Sequence, residues 1–284
     1  MGKLRSIGIV LTVIALFAVG IILPGKRLPK ISLAAEEIPL PINIPLFGQS
    51  IPNTLPATWL TMAILLGIGW AYNKAQRKEG RLSLFQVAVE TVIEEMLKWV
   101  EGIGGKHTRV FFPMVATFFF FIAISNWGGL LPGFGSIGVW VEHHGETEFV
   151  PFLRTANAHL STTLALAIVS VGSVNYYGYK VLGKSYFKRY FDVKINTAFG
   201  VLGLLELILE FIKVIPFAFR LFGNILAGEV LLFIVSYLFS FIFPIVFMGL
   251  ELFVGAIQAL IFAMLTLVFF STAVSHQGEE SEPH

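Results

Sequence analysis

Five stretches of the chain, 7–23, 55–72, 110–131, 155–179 and 252–275, run for about 20 residues each with almost no charge. In hydrocarbon every backbone N–H and C=O must be satisfied, and a helix about 20 residues long does this within the segment while crossing the bilayer. The sequence therefore predicts an all-α membrane protein, a polytopic helical bundle. Composition agrees: 56% hydrophobic residues, 13% charged residues and a mean hydropathy of +0.79 are too apolar for a water-exposed globule of 284 residues. A net charge of +2 gives no electrostatic footprint for nucleic acid. The absence of cysteine excludes disulfides, thiolate catalysis and cysteine-ligated metal or iron–sulfur sites.

A sixth region, roughly 195–250, is apolar throughout yet carries Glu206, Glu210, Lys213, Arg220 and Glu229. Its first 44 residues would make a helix of about 66 Å, twice the hydrocarbon thickness of ~30 Å. It must tilt strongly or break.

Lysine and arginine placement sets the orientation, because short loops rich in these residues stay cytoplasmic. With alternating spans, one side collects Lys3 and Arg5, the basic residues of loop 73–109, and those of loop 180–195. The opposite side receives only Lys26, Arg27, Lys30 and Arg154. Residues 1–34 read as a signal peptide or as an uncleaved anchor helix. Residues 35–284 form a single membrane domain. Between 36 and 56 five prolines prevent regular helix, so an extended external connection is expected. Residues 82–100 set Leu82, Phe85, Val89, Val92, Ile93, Met96 and Val100 against Glu90, Glu94, Glu95 and Lys98, an amphipathic helix lying on the cytoplasmic interface.

Arg220 constrains function most. An arginine at mid-bilayer costs at least ~2.5 to 3.5 kcal/mol, so a chain that keeps one should use its charge. Glu206, Lys213 and Arg220 are seven apart, and each such step returns to within about 20° of the same helix face. Glu229, nine residues on, lies about 180° from Arg220 and belongs to a second polar surface. Glu251, Gly255 and Gln258 form a further polar or small stripe suited to close helix packing. Each has a plainer reading. Glu206, Glu210 and Lys213 can be a solvated helix start with snorkelling side chains, and Asn224 and Gln258 can be hydrogen bonds between helices. His143 and His144 fit a polar external loop, and His159 a helix start facing water.

Arg220-Leu221-Phe222-Gly223-Asn224, then Ala227-Gly228-Glu229, then Glu251 and Gln258-Ala259 with Leu260-Ile261-Phe262, closely resemble the signature of subunit a of the F-type ATP synthase. The resemblance covers about residues 50 to 276 and includes Asn126-Trp127-Gly128-Gly129-Leu130-Leu131-Pro132 and Thr163-Leu164-Ala165-Leu166-Ala167. It implies five family helices in the membrane, the last two long and strongly tilted. It implies that Arg220 faces a rotating ring of c subunits whose helices each carry a proton-binding carboxyl, with Asn224 and Gln258 in the same neighbourhood. It places Glu229 and Glu251 in an external half-channel and Glu206 in a cytoplasmic one. The chain departs from the family pattern at Gly129, often acidic in relatives, and at Asn157-Ala158-His159, where relatives carry Asp-x-Asn.

The implied partners are the c ring, the b subunits of the peripheral stalk and the lipid bilayer. No cofactor or metal is implied, and the expected location is a bacterial plasma membrane. The implied role is that of a non-catalytic, proton-translocating subunit of the complex. Because Glu229 and Glu251 both fall in the outer half of the last two helices and Glu229 is turned away from Arg220, the two are expected to act together as a proton relay. A secondary transporter or free-standing channel is the alternative, and it predicts an internal repeat that the sequence lacks. A membrane-embedded enzyme would need His143, His144 or His159 converging with a carboxylate in one cavity.

Overall fold

The computed structural model describes residues 36–44, 48–77, 83–104, 108–143, 146–184, 186, 199–239 and 242–275. The signal-or-anchor segment, the run 7–23, the acidic tail, most of loop 180–195 and His144 lie outside the described residues. The described chain is a helical bundle with two small hairpins at one end. In order come β1 (Glu37–Ile44), β2 (Gly48–Pro52), α1 (Thr54–Gln76), α2 (Leu84–Gly104), α3 (Thr108–Gly128), β3 (Pro132–Gly135), β4 (Gly138–His143), β5 (Glu146–Pro151), α4 (Leu160–Leu182), α5 (Phe199–Ile212), α6 (Val214–Leu238) and α7 (Ile242–Ser275). Five segments are long and apolar enough to cross a membrane: α1, α3, α4, the α5–α6 stretch Leu205–Leu238, and α7. This is an all-α, multi-pass membrane fold.

The overlong sixth region resolves by breaking. Pro216 has no N–H for the carbonyl of Ile212, and its ring crowds that carbonyl, so the helix is interrupted at Lys213 between α5 and α6. The ladder resumes with Phe217 N–H donating to Lys213 O at 3.4 Å. A second break follows at Phe239, which is extended (φ −131°, ψ 102°). Pro244 then falls in the first turn of α7, where its missing N–H costs no ladder bond. At 34 residues α7 is about 51 Å long, and it holds no lysine or arginine to project into water, so in a bilayer it leans far from the normal.

In lipid, helices gain little from burying apolar surface against one another and rely on close van der Waals contact between small residues. The core follows that rule. Ala123, Ala167, Ala218 and Ala259 let α3, α4, α6 and α7 approach, and Phe118, Ile122, Phe217, Leu221 and Phe262 fill the space between them. α3 packs most extensively on α7, and α4 on α6. α1 buries only Thr54, Ala57 and Thr61 and leaves most of its length bare. α2 is the amphipathic helix the sequence predicts, and it touches α3 and α7 through Met96 and Val100.

The proline-rich connection is extended, as expected, but it pairs with itself: β1 and β2 form an antiparallel hairpin. The loop carrying His143 is likewise a hairpin, β4 against β5, with His143 opposite Glu146 in the backbone register. The segments flanking the two hairpins meet at Asn53. Asn53 N–H donates to Glu36 O at 3.0 Å, and Arg154 N–H donates to Asn53 O at 3.3 Å.

Candidate functional site: an exposed arginine face and a cleft ending on an ion pair

Arg220, Gly223, Asn224 and Ala227 share an arc of about 100° on α6, and all four are exposed. A Cβ at Gly223 would meet open space, so this face is uncovered and flat enough for another helix to approach closely. Among the described residues Arg220 makes no hydrogen bond and no ion pair. Asn224 beside it donates through Nδ2 to Gln258 Oε1 at 2.6 Å, which joins the face to α7. Gln258 is buried, and its Nε2 has no hydrogen-bond partner among the described residues.

Behind that face runs a set of buried amides. Asn157 Nδ2 donates to Asn126 Oδ1 at 2.8 Å, and Asn126 Nδ2 donates to the carbonyl of Gly255 at 3.2 Å. Trp127 Nε1 donates to Leu252 O at 3.0 Å, so the end of α3 is pinned to α7 at the residue next to Glu251. Asn157 sits in a buried 3₁₀ turn, Ala156–Ala158, just ahead of α4. The departure at Gly129 has a steric reason, because a Cβ there would collide with Thr155 Oγ1.

Glu229 faces inward, away from Arg220, as helical periodicity predicts. Its partner is Arg154, which donates from Nη2 at 2.8 Å and from Nε at 3.1 Å, both to Oε2. The side chains are 12% and 22% exposed for Arg154 and Glu229, so the pair is largely withdrawn from solvent. It lies at a cleft of about 560 Å³ that opens between the hairpins and the ends of α6 and α7 and is also lined by Glu36, Thr155 and Ser236. Glu251 lies against Gly228, so closely that a Cβ on Gly228 would overlap its carboxyl group. Among the described residues the Glu251 carboxyl has no hydrogen-bond donor and no cation.

Sequence reasoning assigned Arg154 only to an external loop and so missed it as the partner of Glu229. The signal was faint: a single arginine immediately before a buried, polar helix start. His159, which ends that turn, is held below the ordinary imidazole range first by burial and then by the nearby Arg154 charge. Between the ordinary value of 6.5 and the lower folded value, the unfolded chain binds a proton that the folded chain does not. Stability contributed by His159 is therefore lost as pH falls through that window. Replacing His159 with Gln should flatten the fall in thermal stability of the purified complex as the pH drops below 6.5. An identical fall in both proteins would refute this.

At the opposite end, Glu206 and Glu210 separate. Glu206 is half-buried, whereas Glu210 is buried and accepts from Lys213 Nζ at 2.9 Å and from Asn175 Nδ2 at 3.3 Å. Asn175 Oδ1 in turn accepts from the hydroxyl of buried Tyr186 at 2.7 Å. Lys213 also sits 4.8 Å from the centre of the Phe269 ring. The solvated-start reading thus fails for Glu210, which is held in a network between α4, α5 and α6. The described residues hold no cluster of three or more metal-ligating side chains.

A bundle of five spanning segments with ionisable side chains inside them, one of them an exposed arginine, defines a multi-pass membrane protein of ion transport. The chain belongs to the ATP synthase A chain family, whose pattern matches residues 55–271. It is 31% identical over 232 residues to the ATP synthase subunit a of Nitrosospira multiformis, covering 81% of this chain and 82% of that one. The subunit a of Desulforamulus reducens is 31% identical over 260 residues (84% and 89%), and that of Gloeobacter violaceus 32% over 233 residues (82% and 85%).

Proposed function

We propose that this chain is the stator half of the proton channel of an F-type ATP synthase, and that Arg220 meets the carboxyl groups of a rotating c ring. The observation that carries the reading is the exposed Arg220, unpaired among the described residues, on a face with small neighbours. A guanidinium left in lipid is strongly unfavourable, so the face requires a partner that brings anions into the bilayer. A ring of helices, each with one carboxyl, meets that need. As a carboxyl nears Arg220 the fixed cation favours its ionised form, and after leaving the arginine it takes a proton again. Guanidinium stays charged at any working pH, so no proton crosses directly between the two sides. Flow must then follow rotation.

In this reading the cleft that reaches Glu229, with Glu251 beyond its lining against Gly228, is the external half-channel. Glu206, with the Glu210 and Lys213 network beside it, belongs to the cytoplasmic one. Asn224 and Gln258 bound the site of exchange. The b subunits of a peripheral stalk hold the chain still against the ring, and the complex sits in a bacterial plasma membrane.

The absence of cysteine makes the test direct. In the assembled complex, Gly223→Cys or Ala227→Cys should form an oxidant-induced disulfide with a cysteine placed one turn from the ring carboxyl. Leu66→Cys, on the bare face of α1, should not. No product from either α6 position, or equal product from Leu66→Cys, would remove the ring-facing assignment.

A further inference from the structure

We infer that Arg154 is a positioning residue for proton entry: it clamps Glu229 as a fixed carboxylate at the inner end of the external cleft and leaves Glu251 as the carboxyl that takes up and passes on the proton. The inference rests on the half-channel reading above and assigns unequal parts to two carboxyls that the sequence alone treats as one relay.

The geometry is asymmetric. Both donors of Arg154 converge on Oε2 of Glu229, while Oε1 has no hydrogen bond among the described residues and stays available to a proton carrier. A guanidinium withdrawn from water interacts with its carboxylate far more strongly than a surface pair does, and it cannot lose its own proton. Arg154 is itself fixed, since its backbone N–H is held by Asn53 and Asn53 by Glu36. Glu251 has the opposite surroundings: it sits on the bare backbone of Gly228, with neither donor nor cation among the described residues. The guanidinium of Arg154 is paired with Glu229, and among the described residues no cation is paired with Glu251. The other ionisable groups near the pair are Glu36, which lines the same cleft, and His159, which lies within reach of the Arg154 charge. The transfer balances simply. A hydronium arriving by way of the cleft, past Glu229, gives its proton to the Glu251 carboxylate and becomes water, and Glu251 then returns to carboxylate as the proton moves on toward the ring.

The test measures ATP-driven proton pumping in inverted vesicles, normalised to assembled complex, across pH. Arg154→Gln should lower the rate about tenfold and displace the pH profile, the size of effect that one unit of carboxyl acidity produces. Arg154→Lys, which restores a cation, should stay within about threefold of wild type with a nearly normal profile. Adding Glu229→Gln to Arg154→Gln should recover part of the loss, because no carboxylate is then left without its cation. Glu251→Gln should be more damaging than Glu229→Gln. A purely structural pair predicts less assembled complex but an unchanged rate and profile per complex in Arg154→Gln, and that outcome overturns the inference. Glu229→Gln as damaging as Glu251→Gln overturns the division of roles. Normal pumping by Arg220→Ala in the same assay would instead overturn the channel reading itself.

Discussion

Arg220→Ala is expected to leave the complex assembled and to abolish ATP-driven proton pumping. The side chain makes no hydrogen bond or ion pair among the described residues and lies on an exposed face, so its removal breaks nothing in the fold. Arg220 is not among the buried side chains that hold α6 in place; Phe217, Ala218, Leu221 and Ile225 do that. Removing a mid-membrane cation should if anything make insertion easier, by the ~2.5 to 3.5 kcal/mol that the arginine costs. What disappears is the fixed charge against which a ring carboxyl ionises. Arg220→Lys should also fail, because an ammonium can give up its proton when desolvated and lacks the planar donor fork. The measurements are fluorescence-quench pumping in inverted vesicles and the amount of intact complex on native gels. Wild-type pumping by the alanine variant would sink the assignment. Loss of assembled complex would show instead that Arg220 holds the structure together.

Much of the architecture was legible in the sequence because a helix reports its own geometry. Length and lack of charge located the spans, alternation of apolar and charged residues gave α2, and a run too long for the bilayer had to break. Pro216 and Pro244 mark where. Periodicity also separated Arg220 from Glu229 onto opposite sides of α6. Periodicity is silent on what stands across from a face. Arg154 and Glu229 are 75 positions apart and meet only because a 3₁₀ turn and two hairpins bring the start of α4 over α6. Nothing local announces that pairing, and a cation beside a predicted span is ordinarily a loop residue. The same limit hid the contact of Asn157 with Asn126 and that of Glu210 with Asn175. In each case the sequence supplies the polar group, and the neighbouring helix decides whether it is solvated, buried or paired.

Gly228 shows how strongly such a contact can bear on function, and the second large effect is expected there. The position needs no unusual backbone, since it lies inside α6; it needs the absence of a side chain, because the Glu251 carboxyl occupies the place where a Cβ would stand. Gly228→Ala should raise the intrinsic helix propensity by about 1 kcal/mol while forcing that carboxyl aside. Gly228→Val, with two further carbons, should push the carboxyl further from this position. The expected result is an assembled complex whose proton transport per complex falls about tenfold or more for alanine and further for valine, the scale on which misplacing a proton-transfer group acts. Shortening the neighbour gives the decisive control. Glu251→Asp withdraws the carboxyl by one carbon, so in the Gly228→Ala background it should restore part of the transport that either single change removes. That sign of coupling is available only if the two positions collide. If the double variant is no better than the worse single, or if Gly228→Ala transports normally at every pH, then the Glu251 carboxyl does not work from its seat on Gly228.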